Sequence, residues 1–258
     1  MPEAGGLFYS GHIAGDQPLV SPVILLHGAG GSRLDWMLRK IPGRDVIAID
    51  LPGHGALIGQ PGRSSVVDYA LAIIAFLDAL HITRAAFVGH SMGGAIALSL
   101  ALEQSKRVAG LVLISTGARL RVHPAVIDNI LHSPEISIRQ VVDWSWSSHA
   151  PPETRDQMAK QLLLIPSQTL HGDFTACNAF DVSERLTAIN APTLILVGAE
   201  DQMTPIKYST FLSSRIDGAQ LNIIPNAGHM VTLEQPEAVN TQITSWFDRV
   251  MTDVASSS

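Results

Sequence analysis

The sequence predicts one α/β domain, a mostly parallel sheet with helices on both faces, interrupted late in the chain by a helical insertion. Three observations carry this reading. Short β-rich runs alternate with segments of helical spacing. Several of those runs are apolar throughout, so both of their faces require cover, as in a parallel sheet. The chain has 258 residues, 46% of them hydrophobic and 16% charged, which is enough to bury a large core as one unit.

In chain order, residues 4–13 are expected to add one or two antiparallel edge strands. Strands follow at 23–26, 45–49, 85–88 and 111–115, then at 193–197 and 220–224. Helices are expected at 64–80, 92–103, 205–214 and 236–250, where apolar positions recur at helical spacing or a Pro opens the first turn. The alternation breaks between 119 and 185, where Pro124, Pro134, Pro151, Pro152 and Pro166 punctuate helical-looking segments without a convincing strand. A stretch of this length is too long for a bare loop in a compact domain. It reads as a helical cap, residues 119–185, over a core built from 1–118 and 186–258. The Ser256-Ser257-Ser258 tail is expected to fray.

Composition excludes several function classes. A formal charge of -6 and a pI near 5.9, with no dense Lys/Arg run, argue against a nucleic-acid surface. The opening Met1-Pro2-Glu3-Ala4-Gly5-Gly6 has neither the basic nor the apolar region of a secretory signal. The longest apolar runs, near 108–114 and 192–197, are too short to span a bilayer, so a cytoplasmic chain with no membrane span is expected. The single Cys177 forbids an intramolecular disulfide and, lacking an activating motif, reads as a buried apolar thiol rather than a nucleophile. His123, His132, His149 and His171 fall in the insertion at spacings that match no metal motif, and no metal is expected.

The strongest local signal is Gly89-His90-Ser91-Met92-Gly93, a G-x-S-x-G sequence lying between a strand and a helix. A nucleophile on such a turn sits in strained backbone, and small neighbours let the chain reverse beside it. The helix start also aims free N–H groups at any oxyanion formed there, with Met92 N–H the expected donor. A Ser that merely caps the helix is the plainer alternative. His27-Gly28-Ala29-Gly30-Gly31-Ser32 leaves the carboxyl end of the 23–26 strand. Its expected role is to supply the second oxyanion donor from Ala29 N–H, with Gly30 as the reserve and Gly28 beside the substrate. His27, His54 and His90 read as structural histidines, and Asp50-Leu51-Pro52-Gly53-His54-Gly55 as a turn shaping the site's rim.

Two carboxylates, Glu200 and Asp201, follow the 193–197 strand. His229 follows the last strand in Pro225-Asn226-Ala227-Gly228-His229-Met230. A serine hydroxyl is a weak nucleophile at neutral pH, so a general base must accept its proton and an acid must hold that base in the right tautomer. Ser91, Asp201 and His229 are the expected set; Asp201 is preferred to Glu200, whose plainer reading is a solvated loop carboxylate.

These segments together resemble the α/β-hydrolase superfamily, in particular its small bacterial esterases, lactonases and carbon–carbon bond hydrolases. The resemblance rests on Leu26-His27-Gly28, Asp50-Leu51-Pro52-Gly53-His54-Gly55, Gly89-His90-Ser91-Met92-Gly93-Gly94, Gly198-Ala199-Glu200-Asp201 with Pro205, and Gly228-His229, in the chain order Ser, Asp, His. It covers nearly all the chain outside the insertion. It implies an eight-stranded, mostly parallel sheet, a helical cap, no cofactor, and acyl hydrolysis through a covalent acyl-enzyme. A Ser at the elbow separates the chain from dehalogenase and epoxide hydrolase relatives that carry Asp there.

A small, fairly apolar carboxylic ester or lactone is the expected substrate. Trp144 and Trp146 are candidates to line its pocket or to anchor the insertion's own small core. The alternatives are carbon–carbon hydrolysis or a haloperoxidase-like reaction with the same triad, and a ligand-binding receptor module on the same fold. The chain is compatible with a homo-oligomer.

Overall fold

The computed structural model describes residues 2–11, 21–36 and 40–255; the end of the 4–13 segment and the Ser256–Ser258 tail lie outside them. The strands are β1 (Glu3–Ala4), β2 (Leu7–Gly11), β3 (Val23–Leu26), β4 (Val46–Ile49), β5 (Ala85–His90), β6 (Val108–Ile114), β7 (Thr193–Gly198) and β8 (Gln220–Ile224). They form an eight-stranded sheet in the order β1-β2-β4-β3-β5-β6-β7-β8. The pairs β1–β2 and β2–β4 are antiparallel and the remaining pairs parallel. Predicted strand ends hold to within a few residues. The largest difference is β6, which starts at Val108 and ends before Ser115, whose φ of +46° takes the chain out of extended geometry.

Side-chain alternation builds two cores, one on each face. Ile24, Leu26, Ile47, Ile49, Phe87, Leu111, Leu113 and Ile195 point to one face. Val23, Leu25, Ala48, Val88, Val112, Ile114, Leu194 and Leu196 point to the other. The first face is covered by helices α1 (Val66–Ala79) and α2 (Met92–Glu103), which bring Tyr69, Ile73, Phe76, Ile96 and Leu100. The edge strand β8 is only half-buried, with Ile223 47% exposed, so its mixed sequence reflects its place in the sheet.

Between β6 and β7 run α3 (Pro124–Ile130), α4 (Pro134–Ser145), α5 (Pro152–Leu162) and α6 (Ser167–Ala179), followed by a 3₁₀ turn at Ser183–Ala188. Each of the five prolines noted in the sequence stands at a helix opening: Pro124, Pro134 and Pro152 as first residues, Pro151 and Pro166 as N-caps. At these positions the missing N–H costs no helical hydrogen bond, so the prolines fix where helices begin. The four helices gather their own buried cluster, including Val126, Ile138, Val142, Trp146, Leu162 and Phe174. An isolated antiparallel bridge between Arg119 and Asp181 joins the two ends of this four-helix segment. The chain ends with α7 (Ile206–Arg215), α8 (Val231–Glu234) and α9 (Pro236–Ala255). The last buries Ile243, Trp246 and Phe247 against the second face. No helix among the described residues is long and apolar enough to cross a membrane.

Strand order reverses beside β3: the chain passes from β3 outward to β4, then returns to place β5 on the other side. A crevice at the carboxyl ends of the strands is expected there. Leu26 pairs with Gly89, so residues two beyond each, Gly28 and Ser91, come to the same level.

Candidate active site

Ser91 occupies the turn between β5 and α2 with φ +53° and ψ -116°, backbone that a non-glycine residue adopts only when its surroundings impose it. The glycines around it explain how. A Cβ on Gly89 would strike the Gly93 carbonyl oxygen, and one on Gly93 would strike the Leu26 carbonyl oxygen. A Cβ on Gly94 would fall 2.6 Å from the Thr116 methyl. Turn and helix are therefore packed against β3 and the loop after β6, and the Ser91 carbonyl is held by Thr116 Oγ1–H at 2.8 Å.

Asp201 and His229 arrive at the same edge from β7 and β8. His229 Nε2 lies 2.9 Å from Ser91 Oγ, and its Nδ1 lies 3.1 and 3.0 Å from the two Asp201 oxygens. A carboxylate only accepts, so Nδ1 carries the proton and Nε2 offers its lone pair to the serine hydroxyl. Asp201 also accepts Met203 N–H at 3.0 Å, Thr204 N–H at 2.8 Å and Thr204 Oγ1–H at 2.8 Å. Burial alone would raise its pKa. The His229 ring and these donors outweigh burial, and the carboxyl is held below its ordinary value. Glu200 turns away, accepting the Ser148 N–H at 2.9 Å and its hydroxyl at 2.7 Å. The structure thus brings together the three side chains read from the sequence.

The loop after β3 closes the other side. Gly31 N–H donates to the Gly28 carbonyl at 3.1 Å, and Gly30 N–H donates to Asp173 Oδ2 at 3.0 Å. The reserve donor is therefore engaged. Among the described hydrogen bonds none uses Ala29 N–H or Met92 N–H. Gly28 lies against the turn, where an added Cβ would be 3.3 Å from the Ser91 Cβ.

His27, His54 and His90 are locked into hydrogen bonds. His27 Nδ1–H donates to the Gly28 carbonyl at 2.8 Å and Nε2 accepts Leu51 N–H at 3.0 Å; burial, then the neighbouring His54, drives its pKa well down. His90 Nε2–H donates to the His229 carbonyl at 2.9 Å, and burial holds its pKa at about 4. His54 pairs with Asp173 at 2.8 Å. Asp50 is buried and takes Arg33 N–H at 2.8 Å, Ala56 N–H at 2.9 Å and the Arg33 guanidinium. Cys177 is buried, and burial pushes its thiol pKa up, as for an inert thiol.

Two cavities meet at Ser91, and Ala29 and His229 border both. The larger, of about 530 Å³, runs along α5 past Trp146, Met158 and Gln161. The smaller, of about 250 Å³, is walled by Leu120, Val122, Val126 and Trp144. Trp146 is buried and its Nε1–H points to Met158 Sδ at 3.1 Å, so it both borders a cavity and anchors the insertion. Among the described residues no cluster of three or more His, Cys, Asp or Glu side chains is placed to hold a metal ion.

Several contributors escaped the sequence reading. Thr204, three residues after Asp201, grips the carboxylate with both backbone and hydroxyl, next to the Asx turn that Asp201 makes with Met203 N–H two residues on, a local pattern that inspection can find. Glu234 accepts Gly228 N–H at 2.7 Å and Ser147 N–H at 3.0 Å, tying the His229 loop to the end of α4. Asp173 had no local signal at all.

A family model described as the alpha/beta hydrolase family matches residues 23–242. The chain belongs to the alpha/beta hydrolase family. Among curated relatives, this hydrolase is 26% identical over 244 residues to the carbamate hydrolase candidate RutD of Variovorax paradoxus (strain S110), a match spanning 88% of this chain and 92% of that protein. Among solved structures it is similar to a thermophilic esterase, with a TM-score of 0.80 and 30% identity, covering 95% of this chain and 98% of that one. It is also similar to Est816, described as an N-acyl homoserine lactone degrading enzyme, with a TM-score of 0.79 and 27% identity over 93% of this chain and 96% of that one.

Proposed function

We propose that this hydrolase cleaves a small, fairly apolar carboxylic ester or lactone with Ser91 as nucleophile, His229 as general base and Asp201 as the acid that orients it. The observation that carries the reading is the continuous hydrogen-bonded line from Asp201 through His229 to Ser91, ending where two cavities meet. Ser91 Oγ attacks the carbonyl carbon while its proton passes to His229 Nε2. The developing oxyanion sits between the Met92 and Ala29 N–H groups, at the start of α2. The imidazolium then protonates the leaving alcohol, and His229 next takes a proton from water as it attacks the acyl-enzyme. Asp201 stays ionised throughout, which its lowered pKa favours.

Residues 119–185 act in this reading as a cap that supplies the specificity walls over a core of 1–118 and 186–258. Trp144 then faces one half of the ester and Trp146 the other, with Gly28 lining the path between. The smaller cavity suits a short substrate portion set against Leu120, Val122, Val126 and Trp144, with Arg121, His123 and Gln202 also in its wall. Similarity to an esterase and to a lactone-degrading enzyme favours the ester or lactone class.

The test is hydrolysis of a p-nitrophenyl ester series of increasing chain length by the wild type and by Ser91→Ala. Turnover of short esters by the wild type, abolished in Ser91→Ala, is the expected outcome. Equal rates for both proteins would reject Ser91 as nucleophile. Inertness of both toward esters, with turnover of a carbamate, would move the substrate class to the bond for which RutD is named.

A further inference from the structure

Asp173 is fully buried on α6, within the insertion, yet its carboxylate makes its contacts with the core. Oδ1 accepts Tyr69 Oη–H from α1 at 2.5 Å. Oδ2 faces His54 Nε2 at 2.8 Å and accepts Gly30 N–H at 3.0 Å. Tyr69 Oη in turn accepts Arg63 N–H at 3.1 Å. His54 Nδ1 lies 3.0 Å from the Pro52 carbonyl, which only accepts, so that nitrogen is protonated. Burial opposes a second proton, but Asp173 more than compensates and raises the His54 pKa, so the ring meets the carboxylate as a donor. A buried carboxylate with three donors is fully satisfied, and removing it strands all three.

The engaged backbone group matters most. Of the three amides of Ala29, Gly30 and Gly31, Gly31 N–H closes the turn onto Gly28 and Gly30 N–H is taken by Asp173. Ala29 N–H is what remains. Gly30 has φ +66°, and a Cβ there would come 2.5 Å from Leu162 Cδ2 and 3.0 Å from Leu170 Cδ2. The turn is therefore seated directly on side chains of the insertion, with Asp173 as its polar anchor.

We propose that Asp173 is a positioning residue for the oxyanion loop: reaching from the insertion, it takes the Gly30 N–H and thereby holds Ala29 N–H toward the substrate oxygen. The insertion is then part of the machinery that stabilises the transition state as well as a wall of the pocket. This rests on the assignment of Ala29 as an oxyanion donor under the proposed function.

The experiment measures kcat and KM for p-nitrophenyl butyrate, and the Ki of an alkyl trifluoromethyl ketone whose adduct with Ser91 bears an oxyanion. The proteins are wild type, Asp173→Asn, Asp173→Ala and Ser91→Ala, each checked by thermal melting. An oxyanion donor acts on the transition state, so Asp173→Ala is expected to lose about 10- to 100-fold in kcat with KM nearly constant, and ketone Ki should rise in parallel. Asp173→Asn keeps an acceptor oxygen and should lose less. Should Asp173→Ala not fold, Asp173→Ser, whose hydroxyl is too short to reach the Gly30 N–H, takes its place under the same criterion. A kcat loss above about threefold with a weaker ketone supports the proposal, whereas a smaller loss, or one confined to KM, overturns it. Undiminished activity in Ser91→Ala would instead remove the underlying reading.

Discussion

Replacing Asp201 by Asn probes the proposed base by changing a tautomer rather than a shape. Oδ1 faces two backbone donors, Met203 N–H at 3.0 Å and Thr204 N–H at 2.8 Å, so the amide oxygen of the variant must take that site. The amide NH₂ then occupies the Oδ2 site, 3.0 Å from His229 Nδ1 and 2.8 Å from Thr204 Oγ1. A donor facing Nδ1 favours the imidazole with its proton on Nε2. That nitrogen, 2.9 Å from Ser91 Oγ, would then present a hydrogen where a lone pair is needed. The expected loss in kcat is roughly 10³- to 10⁴-fold, or about 4–5.5 kcal/mol of barrier. Folding should change little, within about 1–2 kcal/mol, because Thr204 Oγ1 can accept from the new amide. Steady-state kinetics on p-nitrophenyl acetate together with a urea melt separate the two effects. A folded Asp201→Asn that keeps more than about a tenth of the wild-type kcat would refute the tautomer argument.

His90 is buried neutral with a pKa of about 4, so an unfolded chain binds its proton at a higher pH than the native one. Its contribution is complete above about pH 6.5 and is lost as pH falls toward 4, by roughly 3 kcal/mol in total. Urea melts at pH 7.5 and 4.5 should show His90→Gln losing less stability on acidification than wild type; equal losses would contradict the assignment. Gly93→Ala drives a methyl into the Leu26 carbonyl oxygen, backbone pinned inside β3, and should destabilise by more than about 3 kcal/mol or prevent soluble expression. A melt within about 1 kcal/mol of wild type would show that the turn can shift.

Much of the fold was legible because its signals are local. The runs 23–26 and 220–224 and the helix 92–103 agree with the structure residue for residue. Continuous apolarity marks strands covered on both faces, and a Pro at a first turn marks where a helix can begin. The elbow was legible for the same reason: Gly89 and Gly93 flank a turn whose contacts are with its own neighbours and the adjacent strand. Ser91, Asp201 and His229 were legible as a set because each follows a strand of the parallel part of the sheet, and parallel strands bring their carboxyl ends to one edge.

What the tertiary structure decided was how the loops at that edge are held. The sequence put Ala29 first and Gly30 in reserve as the proposed oxyanion donor, but it gave no sign that Asp173, 143 residues away, would occupy the Gly30 N–H and leave that of Ala29. Trp144 and Trp146 stand two residues apart, yet α4 ends between them, at Ser145, and they border different cavities. The sequence by itself determined the strands, the helix starts and the candidate reacting groups, since these depend on periodicity, chain direction and residue chemistry. The partners of Asp173 and the division of the pocket depend on which distant segments come to lie within 3 Å of one another, a distance set by packing of the insertion on the core and written in no local pattern.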